Sequence, residues 1–281
     1  MAEKLRLGRQ STIQRVPTIP ALAFAVASRL AKIPGVTAVA LGGSHARGVA
    51  LPDSDLDIGL YYDAALPFDL ERLQALCRDL DDAGAAEATP LGGWGPWVNG
   101  GAWLTIQGLR VDFIYRDLGR VASSVEDALA GRVLLHAQVG HPHGIHAHHY
   151  AAEVGLGIPL HDPAGRLAQL KQRLGAYPDA LREAMLTHYR WQPGFWLDGA
   201  AKGLERNDLH WAMGCSYQAV MAMVQALCAD QRVWLTNEKQ AVAAAGRVQG
   251  APRDFENRVR EALARMDLEA LKQLTAECWP S

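Results

Sequence analysis

Two apolar rhythms divide this chain. In the first half, short apolar runs alternate with stretches of helical spacing. Leu22, Val26, Leu30 and Ile33 share one helical face, which predicts an amphipathic helix starting after Pro20. Pro34-Gly35 makes a turn, and Val36–Leu41 reads as a short buried strand. Gly42-Gly43-Ser44 breaks that strand, and the pattern returns at Leu56–Tyr62. Helical spacing resumes over Phe68–Ala83 through Leu70, Leu73, Leu76, Cys77 and Leu80. Leu91–Gly101, rich in Gly, Trp and Pro, is a loop with Trp94 and Trp97 as rim aromatics. Strands near Ala102–Gln107 and Leu109–Tyr115 flank Gly108, which permits a tight hairpin, and Val121–Ala130 is helical.

From about Ala164 the rhythm changes. Strand signals fade, and helices are expected near 164–175, 178–190, 194–206, 208–229, 236–246 and 252–277, opened by the Pro163-Ala164-Gly165 turn. The stripe Tyr217, Val220, Met221, Val224 and Leu227 is bundle core. The expected division is 1–135, a His-rich connecting segment 136–163 that lines a cleft, and a helical domain 164–281. At roughly 150 residues per domain, the length of 281 agrees with two cores.

Composition narrows the classes. With 49% hydrophobic and 21% charged residues, general disorder is excluded. The balance of 28 basic against 30 acidic residues argues against a broad basic face, and so against nucleic acid as the main partner. Cys77, Cys215, Cys228 and Cys278 form no CxxC pair and read as free buried thiols in a reducing compartment. Lys4, Arg6, Arg9 and Arg15 precede the apolar run Ala21–Ala27, loosely as in a signal peptide. Pro17, Pro20, Arg29 and the shortness of the run oppose that reading. No stretch is expected to supply the ~20 apolar residues of a membrane span, so a cytoplasmic monomer or homodimer is expected.

The chemistry concentrates in Gly42-Gly43-Ser44-His45-Ala46-Arg47-Gly48 and Asp53-Ser54-Asp55-Leu56-Asp57. Strand side chains alternate, so Asp55 and Asp57 project from one face and can share a hard divalent cation such as Mg²⁺. Asp112 lies on a later strand that can pair alongside, and three such acids suit two metals clamping a phosphoryl displacement. The glycines let a triphosphate approach the backbone, where the Ser44 hydroxyl and nearby amides bind its oxygens. A helix opening at Ser44 would add favourable potential. Alone, Gly-Gly-Ser is a common turn and Asp-x-Asp a common strand end; their conjunction with Asp112 carries the reading. Asp53 precedes the strand and is a loop residue.

Over residues 36–115 these motifs resemble the signature of the DNA polymerase beta-like nucleotidyltransferase superfamily. The two-part plan resembles its kanamycin and streptomycin nucleotidyltransferases, with their C-terminal helical domain. That resemblance implies an α/β (α+β) catalytic domain, a small mixed sheet flanked by helices, followed by an α-helical bundle. It implies that Asp55, Asp57 and Asp112 bind two Mg²⁺ ions, Asp112 on the nucleophile side, and that Ser44 contacts the nucleoside triphosphate. It further implies transfer of a nucleoside monophosphate, commonly AMP from ATP, to a hydroxyl of a small-molecule acceptor such as an aminoglycoside, with release of pyrophosphate.

Other polar residues extend the site. Glu153 is the first candidate for a general base on the acceptor, and Glu126 the second. Arg47, beside the metal motif, is a candidate anion contact. Lys202, Arg206 and Lys239 are basic residues of the helical half that could reach the triphosphate. Lys202 and Arg206 share a face with Asp198, which also reads as a surface ion-pair ladder. His136, His141, His143, His146, His148 and His149 allow a zinc reading. The interruptions at Pro142 and Gly144, with no carboxylate or cysteine completing a pattern, favour an irregular cleft-lining loop instead. The rival functions are an RNA- or tRNA-tailing nucleotidyltransferase, a toxin–antitoxin component that attaches AMP to a protein, and a catalytically silent nucleotide-binding module.

Overall fold

The computed structural model describes residues 19–279. The basic stretch with Lys4, Arg6, Arg9, Arg15 and Pro17 lies outside them. Five strands form one mixed sheet: β1 (Val36–Leu41), β2 (Leu56–Tyr62), β3 (Gly101–Ile106), β4 (Leu109–Asp117) and β7 (Ile158–His161), in the order β3-β4-β2-β1-β7. Only β2 and β4 run parallel; the other neighbours are antiparallel. The β3–β4 hairpin turns on Gln107 and Gly108, with φ of 54° and 76°, the left-handed pair that a two-residue hairpin needs.

Alternation sorts the two faces. Leu56, Ile58 and Leu60 of β2, with Val111, Phe113 and Tyr115 of β4, point to one side and are fully buried beneath α1 (Ala21–Leu30) and α3 (Leu70–Leu80). Each such aliphatic side chain contributes about 1.5–3 kcal/mol by leaving water. Asp69 caps α3 by accepting from the Arg72 amide, worth about 1 kcal/mol. The opposite face is covered only in part, by α4 (Leu118–Leu129) and α5 (His149–Leu156) around Ala38, Ala40, Val121, Tyr150 and Val154. The uncovered part is the cleft.

The His-rich segment is a β-hairpin, not the irregular loop its prolines and glycines predict. β5 (Leu135–Gln138) and β6 (His141–His146) pair through Leu135↔His146 and His136↔Ile145. A bulge between His136 and Gln138, and the turn at Gly140 (φ 85°), absorb the irregularity. Pro142 is exposed in this two-stranded ribbon, where a missing N–H is tolerated. The four-residue β7 gives no sequence signal of its own and is held by β1.

Seven helices complete the described residues: α6 (Arg166–Leu174), α7 (Asp179–Tyr189), α8 (Gln192–Glu205), α9 (Leu209–Asp230), α10 (Ala241–Ala245), α11 (Phe255–Arg265) and α12 (Leu268–Cys278). The helix expected over 252–277 is two, because Met266 takes a left-handed φ of 51° and Asp267 caps the next by accepting from the Ala270 amide. Only Ala241–Ala245 is helical within 236–246, which frees residues 236–239 to enter the cleft. Contrary to expectation, α9 is long and apolar enough to cross a membrane, but most of it is buried as the bundle's central helix. Its Met223, Val224 and Leu227 join a core with α8, α11 and α12, while Ala222, Ala226 and Ala229 pack with α4 and α7. That second core seats the bundle against the sheet domain. All four cysteines are free and buried, as their spacing predicts.

Candidate active site

The uncovered face of β2 and β4 carries the polar residues. Their parallel register aligns Asp57 with Asp112, Gly59 with Ile114, and Tyr61 with Arg116. All six line a cleft of about 340 Å³, whose wall continues through Gly42, Gly43, Arg47, Trp94, His141, Glu153 and residues 236–239. The motif thus folds as its alternation requires: β1 ends, one turn of helix α2 (Gly43–Ala46) reverses the chain, and β2 returns beside it. Asp55 stands just ahead of β2 and lines a second recess with Asp112, Arg110 and Trp103. Asp112 therefore faces both recesses, with Asp57 on one side and Asp55 on the other.

Electrostatics mark the acids as a cluster. Burial, reinforced by the charges of Asp112, Asp55 and Glu153, pushes Asp57 up to about 6. Asp112 is also raised, by burial and then by Asp55, although Arg110 and Lys239 pull it back. Arg110 Nη2 lies 2.6 Å from Asp55 Oδ1, yet that buried oxygen has no partner in hydrogen-bond geometry. Three converging carboxylates, answered only in part by Arg110 and Lys239, form an oxygen donor set of net negative charge. It fits a hard divalent cation.

The remaining expected residues are placed unevenly. Arg47 lines the cleft but folds back, its Nε donating to the Gly43 carbonyl at 3.2 Å. Ser44 sits in the first turn of α2, beside the lining rather than in it. Asp53 is an exposed loop residue. Lys239 reaches the cleft and Lys202, on α8, does not. Among the described residues, neither Lys202 nor Arg206 makes an ion pair, so the ladder with Asp198 is absent. Glu126 pairs with Arg173 on the exposed side of α4, away from the cleft.

Glu153 does line the cleft, half-buried and ion-paired. Arg116 donates to it through Nε and Nη2, both at 2.6 Å, and Arg116 also lies 4.8 Å over the Tyr150 ring. Burial works hardest against the Arg116 charge, but Glu153, Tyr150 and Tyr61 together outweigh it and the net shift is upward. Arg116 carries no expectation from motif reading, although its signal was present: it is four residues past Asp112, on the same face of one strand. The second unforeseen pair closes the opposite wall. Glu238 accepts from His141 Nδ1 at 2.9 Å and from the His143 amide at 3.1 Å, tying the β5–β6 hairpin to the helical half. Burial alone would raise Glu238; these hydrogen bonds outweigh it and hold the carboxyl below its usual range. Trp94 stacks on Trp103 at 4.5 Å, and Trp103, the β3 partner of Asp112, remains largely exposed at the rim.

Comparison with known proteins places this geometry. No curated protein matches the chain. Among solved structures it is similar to a nucleotidyltransferase-like protein from Exiguobacterium sibiricum, at 12% identity and a TM-score of 0.39, covering 89% of this chain and 68% of that one. Residues 25–134 match the family model of the nucleotidyltransferase domain, a stretch that holds Asp55, Asp57, Asp112 and Arg116. Enzymes built on that domain generally work with a nucleoside triphosphate and a divalent metal. The match over residues 25–134 supports a nucleotidyltransferase.

Proposed function

We propose that the enzyme transfers AMP from ATP to a hydroxyl of a small molecule and releases pyrophosphate. The observation that carries this is the alignment of Asp57 with Asp112 across parallel strands, with Asp55 just ahead and the Gly42-Gly43 turn above them. Asp55, Asp57 and Asp112 would hold two Mg²⁺ ions, which when bound supply charge stabilisation to the displacement at phosphorus. The backbone at Gly42 and Gly43, with Ser44, Arg47 and Lys239, would bind the triphosphate and leave its α-phosphorus in line with the acceptor oxygen.

The acceptor side is bounded by Glu153, Arg116, His141 and Glu238. As found here, both Glu153 oxygens accept from Arg116, which leaves one lone pair on each for an acceptor proton. Outside the aspartates the cleft has no free acid among the described residues, since Glu238 is also engaged. A polycation such as an aminoglycoside calls for free acids, so we favour a neutral or weakly charged hydroxyl compound, with the stacked Trp94–Trp103 pair as a flat surface for its ring. The free, buried cysteines accord with a cytoplasmic setting.

Pyrophosphate release, measured with ATP and Mg²⁺ against a panel of aminoglycosides, neutral sugars and nucleosides, tests the reading. Acceptor-dependent release, abolished in Asp57→Asn, supports it. Release that responds only to RNA or to protein acceptors would replace the small-molecule assignment. ATP binding without release from any acceptor would leave a silent nucleotide-binding module, and absence of both would overturn the reading.

A further inference from the structure

Away from the carboxylates, three histidines meet in the seam between β6, α5 and α7. His146 ends β6, while His148 and His149 open α5; their exposures are 0%, 3% and 2%. One ring nitrogen from each lies within 4.8 Å of the others. Nδ1 of His146, Nδ1 of His148 and both nitrogens of His149 have no hydrogen-bond partner. An unsatisfied buried polar group costs about 1–3 kcal/mol, so four together call for an occupant.

The neighbouring hydrogen bonds decide which way one ring faces. The Gln218 side-chain oxygen only accepts, so His143 Nδ1 donates to it at 2.9 Å. The Tyr189 hydroxyl lies between two rings, 3.4 Å from His143 Nε2 and closer to His146 Nε2. With Nε2 engaged there, His146 Nδ1 is the ring nitrogen left without a partner. Such an outer hydrogen bond, fixing tautomer and ring orientation, is what metal-ligating histidines ordinarily have.

We propose that His146, His148 and His149 bind a divalent transition-metal ion of the zinc class, which locks the β5–β6 hairpin and α5 onto α7. Imidazole nitrogens select zinc, cobalt, nickel or copper over Mg²⁺, which takes oxygens. Metal–nitrogen bonds of about 2.0–2.1 Å set tetrahedral ligands roughly 3.3 Å apart, so the rings close by up to about 1.5 Å on binding. The proposal is independent of the transfer chemistry, although β6 also supplies His141 and α5 also supplies Glu153 to the cleft.

The test uses the full chain without an affinity tag, purified in the absence of chelator and analysed for metal by mass spectrometry. Stoichiometric zinc is expected, with a fall in Tm when it is stripped. Co²⁺ titration of the stripped protein, in an Asp57→Asn background so that the carboxylates do not contribute, should give the strong visible absorption of a four-coordinate nitrogen site. His148→Ala should abolish that spectrum, and Tyr189→Phe should weaken Co²⁺ affinity about 10–100-fold by freeing the His146 ring. His210→Ala, at an exposed histidine of α9, should change nothing. Protein that carries no metal and gives neither a Co²⁺ spectrum nor a Tm shift overturns the proposal, as does an unaltered spectrum in a folded His148→Ala variant. If His148→Ala does not fold, the stripped and reloaded parent decides alone.

Discussion

A Cβ on residue 43 would fall 1.7 Å from Oδ2 of Asp57, so only glycine lets the turn and the Asp57 carboxylate occupy their places together. Gly43 also has φ of +58°, in the left-handed region. At Gly42 a Cβ would meet Asp57 Cβ at an ordinary 3.7 Å. Gly43→Ala should therefore lower stability by about 1–3 kcal/mol and displace Asp57, with transfer lost. Gly42→Ala should keep the parent's Tm. Thermal melts of the two variants side by side check this; equal melting points would refute the steric argument.

Asp57 sets a pH prediction. Its folded-state value of about 6 exceeds the ordinary 3.8, so its contribution to stability is complete below 3.8 and declines as pH climbs to about 6. The protonated carboxyl suits the folded protein, and the charged one does not. A shift of this size corresponds to about 3 kcal/mol. In chelator-treated protein, Asp57→Asn should therefore gain about 1–3 kcal/mol at pH 7 and flatten the decline between pH 4 and 6, while losing transfer. Urea unfolding across that range measures both.

The Arg116–Glu153 pair should respond asymmetrically to mutation. The Arg116 side chain is 7% exposed and that of Glu153 is 27%. Glu153→Gln strands the more buried charge and should cost about 3 kcal/mol, whereas replacing both residues with Met should cost less. In turnover, a fixed negative charge on the acceptor side predicts a higher KM for Glu153→Gln. A kcat loss that disappears at high pH would instead identify Glu153 as the base.

Closure of the cleft by Glu238 is open to a similar test. Because the carboxyl is held below its usual range, its contribution is present above its unfolded value and is lost as pH falls through the folded one. Glu238→Gln should raise KM by up to roughly tenfold, about 1.4 kcal/mol, with kcat little changed. Hydrogen exchange should show faster opening of His141–His146 in that variant.

How far the sequence reaches depends on the range of the signal. Asp55, Asp57 and Asp112 were legible because strand alternation is local and the glycine turn adjoins it. Arg116 was within reach by the same alternation, two positions past Ile114. Glu238 and its pairing with His141 were not, because the two meet across 97 residues. The β5–β6 hairpin stayed hidden because Pro142 and Gly144 are ordinary breakers, tolerated here only by an exposed edge and a bulge. Lys202 and Lys239 looked alike in sequence; packing of α8 and the loop before α10 separated them.

The strand order has a consequence for motion. β2 and β4 are inner strands, flanked on both sides, whereas the β5–β6 ribbon is a pair by itself. Local opening begins where backbone hydrogen bonds are fewest and most exposed. Opening the wall that bears His141 therefore breaks fewer strand hydrogen bonds than separating Asp57 from Asp112.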